Sequence, residues 1–170
     1  MLKGIAKLVL ALNGNIKKSQ IASGVAWGVL LGLVPAGNFF WIVLFIVSFF
    51  FRHNHGAKIF GMAIIKCFAP VLVFQVHALG ELILYIEALR PFFTSMYNMP
   101  FVPFTKFNNT VVMGGLASGI ILWLPIFVLF MILIPLYRNH LAPKIRESKL
   151  VKAIAKFPLF KLVEKALIKE

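Results

Sequence analysis

Ionisable residues inside an otherwise apolar stretch are the first candidates for chemistry. Residues 59–89 are mostly apolar but contain Lys66, His77 and Glu81. On a helix that turns ~100° per residue, His77 lies about 20° from Lys66 and Glu81 about 60° from it, so all three lie near one face. A carboxylate beside an imidazole can carry or transfer a proton. The alternatives are that Glu81 only holds helices together through hydrogen bonds, and that Lys66 extends to the membrane interface.

Other reactive residue types do not form a recognisable site. His53 and His55 are of the type that binds zinc, but no third ligand lies near them in the sequence and the chain has no Asp. Cys67, the single cysteine, is distant in sequence from the histidines and lacks the local context of a nucleophile. We therefore predict a non-enzymatic protein with no metal site and no other cofactor.

The composition predicts an integral membrane protein. Of the 170 residues, 61% are hydrophobic and 14% charged, whereas soluble domains carry roughly 45–50% apolar and about 25% charged residues. Residues 21–51 and 111–136 contain no ionisable side chain, and runs of about 18 or more apolar residues are typical of membrane spans. The net charge is +13. Because the basic residues flank the apolar segments, they indicate contact with anionic lipid headgroups and not with nucleic acid.

The first apolar block, residues 21–51, is too long for one upright crossing. As one helix it would measure about 46 Å, against a hydrocarbon core of about 30 Å. Pro35 and Gly37, followed by Asn38, divide the block into two halves and predict a hairpin with Asn38 at its tip. The hairpin either re-enters the bilayer or crosses it twice as short helices. A broken helix at membrane depth is also how many transporters build a polar site.

Small residues recur every four positions in two of the apolar blocks. Gly24, Gly28 and Gly32 share one helical face. A matching face further along the chain is offered by Gly115 with Gly119 and by Gly114 with Ser118. Glycine faces allow helices to approach backbone to backbone in lipid. They predict either simple packing of these two helices on each other, or a re-entrant element that nests closely in a bundle.

The chain divides into a membrane domain and two amphipathic ends. We expect an interfacial helix over residues 1–20, a membrane domain over 21–137 with apolar blocks 21–51, 59–89 and 111–137, and a basic amphipathic tail over 138–170. In the second block we expect an interfacial or half-inserted stretch up to about Lys66, followed by a crossing from about Cys67 to Leu89. The N-terminal segment carries four Lys and the tail nine basic residues, whereas the loop at 90–110 carries two. The positive-inside rule then places both termini in the cytoplasm, with an even number of crossings.

The stretch IASGVAWGVLLGLVPAG, residues 21–37, is followed by an apolar run, a short polar turn with Asn54 and a second apolar run that leads to Pro70 and Gly80. In these features the segment from about residue 19 to residue 80 resembles the bacterial membrane family named domain of unknown function 2062. That family usually has Asn before this proline, whereas the present chain has Ala. The resemblance implies a protein of the bacterial inner membrane, in a compact subfamily, and brings no activity, substrate or catalytic residues with it.

Two functions from different classes fit these features. The first is a membrane subunit that packs or anchors an envelope-associated complex, either as a homo-oligomer or with another membrane or envelope protein. The second is a small transporter or lipid-handling protein that uses the hairpin together with Glu81 and His77. The scarcity of polar groups in the apolar blocks favours the subunit. The predicted fold is an all-α polytopic membrane protein with a broken-helix hairpin and amphipathic interfacial helices at both ends.

Overall fold

The chain folds into helices. The computed structural model describes residues 16–143, apart from the side chain at position 141, and within that range all regular structure is helical. The five α-helices are α1 (Lys18–Leu33), α2 (Phe39–Ser48), α3 (His55–Leu84), α4 (Arg90–Tyr97) and α5 (Thr110–Leu136). Short 3-10 turns cover Glu87–Leu89 and Val102–Thr105, and a π-helical turn covers Tyr137–Leu141. The amphipathic segments predicted for 1–20 and 138–170 lie mostly outside the described residues.

The chain forms two compact units, Met1–Ile132 and Leu133–Glu170. Helices α1 to α4 belong to the first unit, and α5 begins in the first and ends in the second. The contacts of α1 with α2, with α3 and with the first turns of α5 lie within the first unit.

A break separates the two halves of the first apolar block at the predicted place. Helix α1 ends at Leu33, and Val34 is extended, with φ −76° and ψ 128°. The following proline favours this conformation, because its ring disfavours helical backbone at the residue before it. Helix α2 then begins behind Asn38, whose side chain caps it by accepting a hydrogen bond from the Trp41 backbone N–H. Such a cap satisfies one of the free N–H groups of the first turn.

The second apolar block forms one continuous helix. We expected two pieces that meet near Lys66, but α3 runs unbroken through that residue and through Pro70, and ends at Leu84. Proline inside a helix removes one hydrogen bond, and a helix this long keeps enough others for the helix to continue. The segment at 90–110, expected to be a loop, contains the short helix α4 and the second 3-10 turn.

Helices α1 and α3 run in the same direction, and α2 between them in the chain runs in the opposite direction. Trp41 Nε1 of α2 donates to the Leu31 carbonyl of α1 over 3.0 Å, while the rings of Trp27 and Phe51 lie 4.9 Å apart. Helix α2 therefore returns antiparallel to α1. The Asn54 N–H then donates to the Gln20 carbonyl over 2.9 Å, so the chain is back beside the start of α1 when α3 begins.

Helix α1 is the core of the first unit. It lies parallel to α3 and antiparallel to α5, and residues along almost its whole length are buried. The helices around α1, with the turn after α2, expose large apolar side chains, among them Phe50 at 83%, Phe74 at 77% and Ile121 at 62%. The fold therefore has a buried central helix and an apolar surface.

Two helical segments are long and apolar enough to cross a membrane. They are His55–Leu84, with 30 residues, and Thr110–His140, with 31 residues. In each, only 11% of the most apolar 18-residue window is buried inside the chain. A core helix of a soluble protein has the same composition, but most of such a helix is buried.

Candidate functional site

The turn between α1 and α2 is closed by its own hydrogen bonds. The side chain of Asn38, 6% exposed, accepts from the Trp41 N–H at 2.7 Å through Oδ1 and donates to the Pro35 carbonyl at 2.8 Å through Nδ2. Gly37 has φ +88°, a left-handed conformation that glycine adopts without strain. The amide predicted to lie at the hairpin tip therefore holds the turn together.

Lys66 contacts this turn and not the other polar residues of α3. Its Nζ donates to the Val34 carbonyl over 2.6 Å, just beyond the end of α1, where the helix carries free carbonyl groups and a partial negative charge. Along α3, Lys66 lies about 22 Å from Glu81 at ~1.5 Å per residue. The predicted set of polar residues thus divides into two groups, with Asn38 and Lys66 at the turn and His77 and Glu81 near the end of α3.

His77 and Glu81 form an exposed pair. His77 Nε2 and Glu81 Oε2 are 3.8 Å apart, with side chains 49% and 53% exposed. His77 Nδ1 also shares a 2.6 Å hydrogen bond with the Thr110 hydroxyl at the start of α5. Glu81 lies three residues before the end of α3 at Leu84, so it is close to where the apolar helix stops. Of the two side chains, it is His77 that contacts α5.

The glycines of α1 face α3. A Cβ at Gly28 would lie 2.9 Å from the Met62 nitrogen and 3.1 Å from the Gly61 Cα, and one at Gly32 would lie 2.5 Å from the Ile65 Cβ. The same face continues at Gly24, where a Cβ would meet the Asn54 carbonyl. These distances leave no room for a side chain, so α1 and α3 touch backbone to backbone.

The glycines of α5 face α1 at a different place. A Cβ at Gly115 would lie 2.6 Å from the Leu33 carbonyl, and one at Gly119 would lie 3.0 Å from the Leu30 Cα. Helices α1 and α5 therefore pack together, but their two glycine faces do not meet each other.

The closest approach between α3 and α5 involves two other glycines. A Cβ at Gly80 would collide with the Thr110 carbonyl, and one at Gly114 would collide with the Val76 carbonyl. We refer to this contact as the Gly80–Gly114 crossing. The sequence predicts a packing face at Gly114, but it does not identify Gly80 as the partner of that face.

A buried lysine links α2 to α3. Lys58 is 1% exposed, and its Nζ donates to the Ser48 hydroxyl over 2.8 Å. The ammonium also lies 3.9 Å from the centre of the Phe49 ring and 4.7 Å from that of Phe45. We call Lys58, Ser48, Phe45 and Phe49 the Lys58 cluster. Within residues 16–143 the structure gives this ammonium no carboxylate partner, so it is stabilised by ring faces and one hydroxyl.

His53 lies beside this cluster in the turn before α3. Its ring stacks on Trp27, with centres 6.3 Å apart, and meets the ring of His55 edge-on at 4.8 Å. Burial, and secondarily the positive charge of Lys58, lowers the pKa of His53 to about 4. The two histidines thus pack as aromatic rings, and residues 16–143 contain no group of three metal-ligating side chains.

The depressed pKa of His53 predicts a pH-dependent stability. The unfolded chain binds the proton with a pKa of about 6.5 and the folded chain with one of about 4. The contribution of neutral His53 to the free energy of unfolding is therefore fully present above pH 6.5. It is lost as the pH falls towards 4, and the loss is on the order of 1–3 kcal/mol. Unfolding followed at pH 7, 6, 5 and 4 checks this. His53→Phe should make the free energy of unfolding depend less on pH between 4 and 6.5. An unchanged pH dependence in this variant would show that His53 is not its source.

A cleft of about 400 Å³ lies between the end of α1, the middle of α3 and the start of α5. Its walls are aliphatic, and the Lys66 side chain lies among them. A second depression of about 320 Å³ lies around α4, beside Arg90, Tyr97 and Phe107. The first cleft is the one that contains a residue predicted from the sequence to be functional.

These features define an all-α protein with a buried glycine-rich helix and an apolar exterior. The chain is similar to an uncharacterized protein of Treponema pallidum (strain Nichols), with 29% identity over 161 residues, which covers 95% of this chain and 99% of that protein. No protein-family model matches the chain, and no solved structure matches it. The resemblance noted in the sequence stays a prediction.

Proposed function

We propose that this chain is a non-enzymatic subunit of the bacterial inner membrane, in which α3 and α5 cross the bilayer and α1 and α2 form a re-entrant hairpin. The observation that carries the proposal is the placement of α1. Helix α1, the most glycine-rich of the described helices, is used for internal contact with α3 and α5, and the surface left outside is apolar. A surface of this kind is typical of contact with lipid and with other membrane proteins.

Helix lengths support a re-entrant hairpin. Helix α2 has 10 residues and α1 has 16, or about 15 Å and 24 Å at ~1.5 Å per residue, both shorter than a hydrocarbon core of about 30 Å. Helix α3, with 30 residues, reaches about 45 Å and can cross with tilt. Two crossings and one hairpin keep both termini on one side.

The distribution of basic residues supports a cytoplasmic location for both termini. Lys17, Lys18 and Arg52 lie at the end of the first unit where α1 and α3 begin, because the Asn54 N–H bonds to the Gln20 carbonyl there. Basic residues are enriched on the cytoplasmic side of inner-membrane proteins and bind anionic headgroups. The aromatic segment around α4 then faces the periplasm.

The polar residues favour a packing role over transport. Asn38 uses its side-chain amide inside the turn, and Glu81 lies beside His77 near the end of α3. In the described part of the chain no hydrogen bond links Asn38 to the Glu81–His77 pair, so these residues do not form one polar path through the bilayer. The exposed faces of α2, α3 and α5 offer the surface for a second copy of the chain or for a membrane or envelope protein.

Accessibility of the hairpin tip tests the proposal. In a Cys67→Ala background, Ala36→Cys places a thiol at the exposed tip without disturbing the Asn38 hydrogen bonds. A membrane-impermeant maleimide should fail to label it both in intact cells and in inverted vesicles, and should label it after denaturation, because the tip lies in the apolar interior.

Two matched cysteines serve as controls for this labelling. Arg52→Cys should react in inverted vesicles and Asn98→Cys in intact cells, since Arg52 is exposed just before α3 and Asn98 is exposed just after α4. Labelling of Ala36→Cys from outside would mean that the hairpin crosses fully or lines a cavity open to the outside, and would contradict the re-entrant hairpin. Labelling from inside would mean a water-filled cavity, and would replace the subunit with a transporter.

A further inference from the structure

The cleft at Lys66 has the size and walls of a ligand site. Its volume of about 400 Å³ lies within the range of roughly 300–1,000 Å³ found for small-molecule pockets. Leu33 of α1, Ile65, Ala69 and Val73 of α3, and Val111 of α5 line it. These side chains contribute only hydrocarbon to the walls, so the cleft favours an apolar occupant.

The cleft also contains an ammonium that lacks an acidic partner. Lys66 Nζ bonds to the Val34 carbonyl at 2.6 Å, which uses one of its three N–H groups. Among residues 16–143 the recorded acid–base pair is that of His77 and Glu81, and it does not include Lys66. A charge in an apolar environment is costly unless an opposite charge or several hydrogen bonds compensate it. The Val34 carbonyl at the end of α1 compensates part of this charge, and an anionic oxygen would compensate the rest.

The depth of Lys66 excludes small ions from water as the occupant. Lys66 comes 11 residues after His55, the first residue of α3, which places it about 17 Å along the helix. If α3 crosses the bilayer as proposed, this position lies within the hydrocarbon. An anion arriving there needs an apolar part of its own, and the cleft supplies apolar walls on both sides of the ammonium.

We propose that this cleft binds a single-chain anionic amphiphile, with its anionic oxygen on Lys66 Nζ and its acyl chain along the α3 residues Ala69, Val73 and Val76. The ligand enters sideways from the bilayer, because Val73 is 36% exposed and Phe74 beside it is 77% exposed. A fatty acid and a lysophospholipid share this chemistry and differ in the head, a carboxylate or a phosphate.

Photo-crosslinking in detergent tests the site. The full chain, purified in maltoside, is incubated with a diazirine derivative of palmitic acid, irradiated and mapped by mass spectrometry. Crosslinks should concentrate on residues 65–76 and near Leu33. Lys66→Met should reduce them at least fivefold and Lys66→Arg should retain them. Ala69→Phe, which fills the cleft without touching the ammonium, should also reduce them. Lys18→Met, at an exposed lysine of α1, should leave them within twofold.

Competition identifies the head group. Palmitate and lysophosphatidylglycerol are each titrated against the probe, and the one that displaces it at lower concentration identifies the carboxylate or the phosphate as the natural head. Methyl palmitate, which has the chain without the charge, should compete at least tenfold less well than palmitate. Equal competition by the methyl ester would overturn the role of Lys66.

The remaining outcomes also decide the proposal. Crosslinks spread evenly over the exposed faces of α2, α3 and α5, and unchanged in Lys66→Met and Ala69→Phe, would mean that the cleft holds only solvating lipid. Circular dichroism of each variant separates loss of the site from loss of the fold. The site depends on the proposed bilayer setting, but its failure would leave the labelling pattern of Ala36→Cys unchanged, so the two proposals fail separately.

Discussion

Replacing Gly80 with leucine is expected to separate α3 from α5 and to lower the free energy of unfolding by about 3 kcal/mol, near the upper end of measured costs for overpacking. The reason is that a Cβ at Gly80 meets the backbone of α5, at the Thr110 carbonyl and at the Gly114 nitrogen. Backbone atoms cannot rotate away as a side chain can, so the helices must move apart along the Gly80–Gly114 crossing. SDS titration of the purified chain, followed by circular dichroism, measures the loss.

A control and a double variant make this prediction specific. Ala78→Leu adds similar bulk to an exposed position of the same helix and should change the unfolding free energy by at most about 0.5 kcal/mol. Gly80→Ala and Gly114→Ala should each be destabilising, and together cost less than the sum, because either one already separates the same crossing. Equal effects of Gly80→Leu and Ala78→Leu would show that the two helices do not touch there.

Local signals in the sequence predict the helical elements well. Pro35 and Gly37 act on their own backbone and on that of their neighbours, so the break between α1 and α2 can be placed from the sequence alone. Asn38 caps α2 for the same local reason. The second apolar block shows the limit of such signals, because a division near Lys66 was expected and the structure has one helix there. Pro70 lies inside this helix, where the loss of one hydrogen bond does not end it.

Such local signals do not identify which helix packs against which face of another helix. Three glycines at spacing four show that α1 allows a close approach, but they do not identify the helix that approaches. The matching glycines at Gly115 and Gly119 suggested α5, whereas the structure places α3 against Gly24, Gly28 and Gly32. The choice depends on the topology of the hairpin, which returns the chain to the start of α1 before α3 begins.

The candidate site shows the same division between local and long-range information. His77 and Glu81 are four residues apart, so their pairing follows from helical geometry alone. Lys66 lies near the same face by angle, but its long side chain extends to the Val34 carbonyl. Angular position specifies where a side chain leaves the helix, whereas a flexible lysine is directed by the acceptor that it can reach.

The Lys58 cluster provides the second large prediction. Lys58→Ala is expected to cost about 3 kcal/mol of unfolding free energy, because it leaves a cavity and removes the contacts with Ser48, Phe45 and Phe49. Lys58→Met fills the same space without a charge that must be desolvated. Replacement of buried charges by well-packed apolar groups is often neutral or stabilising, so Lys58→Met should remain within about 1 kcal/mol of the natural chain.

The two substitutions separate packing from charge, and hydrogen exchange shows where each one acts. All three contacts of Lys58 are with residues at or near the end of α2, so Lys58→Ala should increase exchange in residues 39–51 while leaving the Gly80–Gly114 crossing protected. Lys18→Ala, at an exposed lysine, should change neither stability nor exchange. If Lys58→Met proves as costly as Lys58→Ala, the ammonium itself, and not the volume of the side chain, holds α2 against α3.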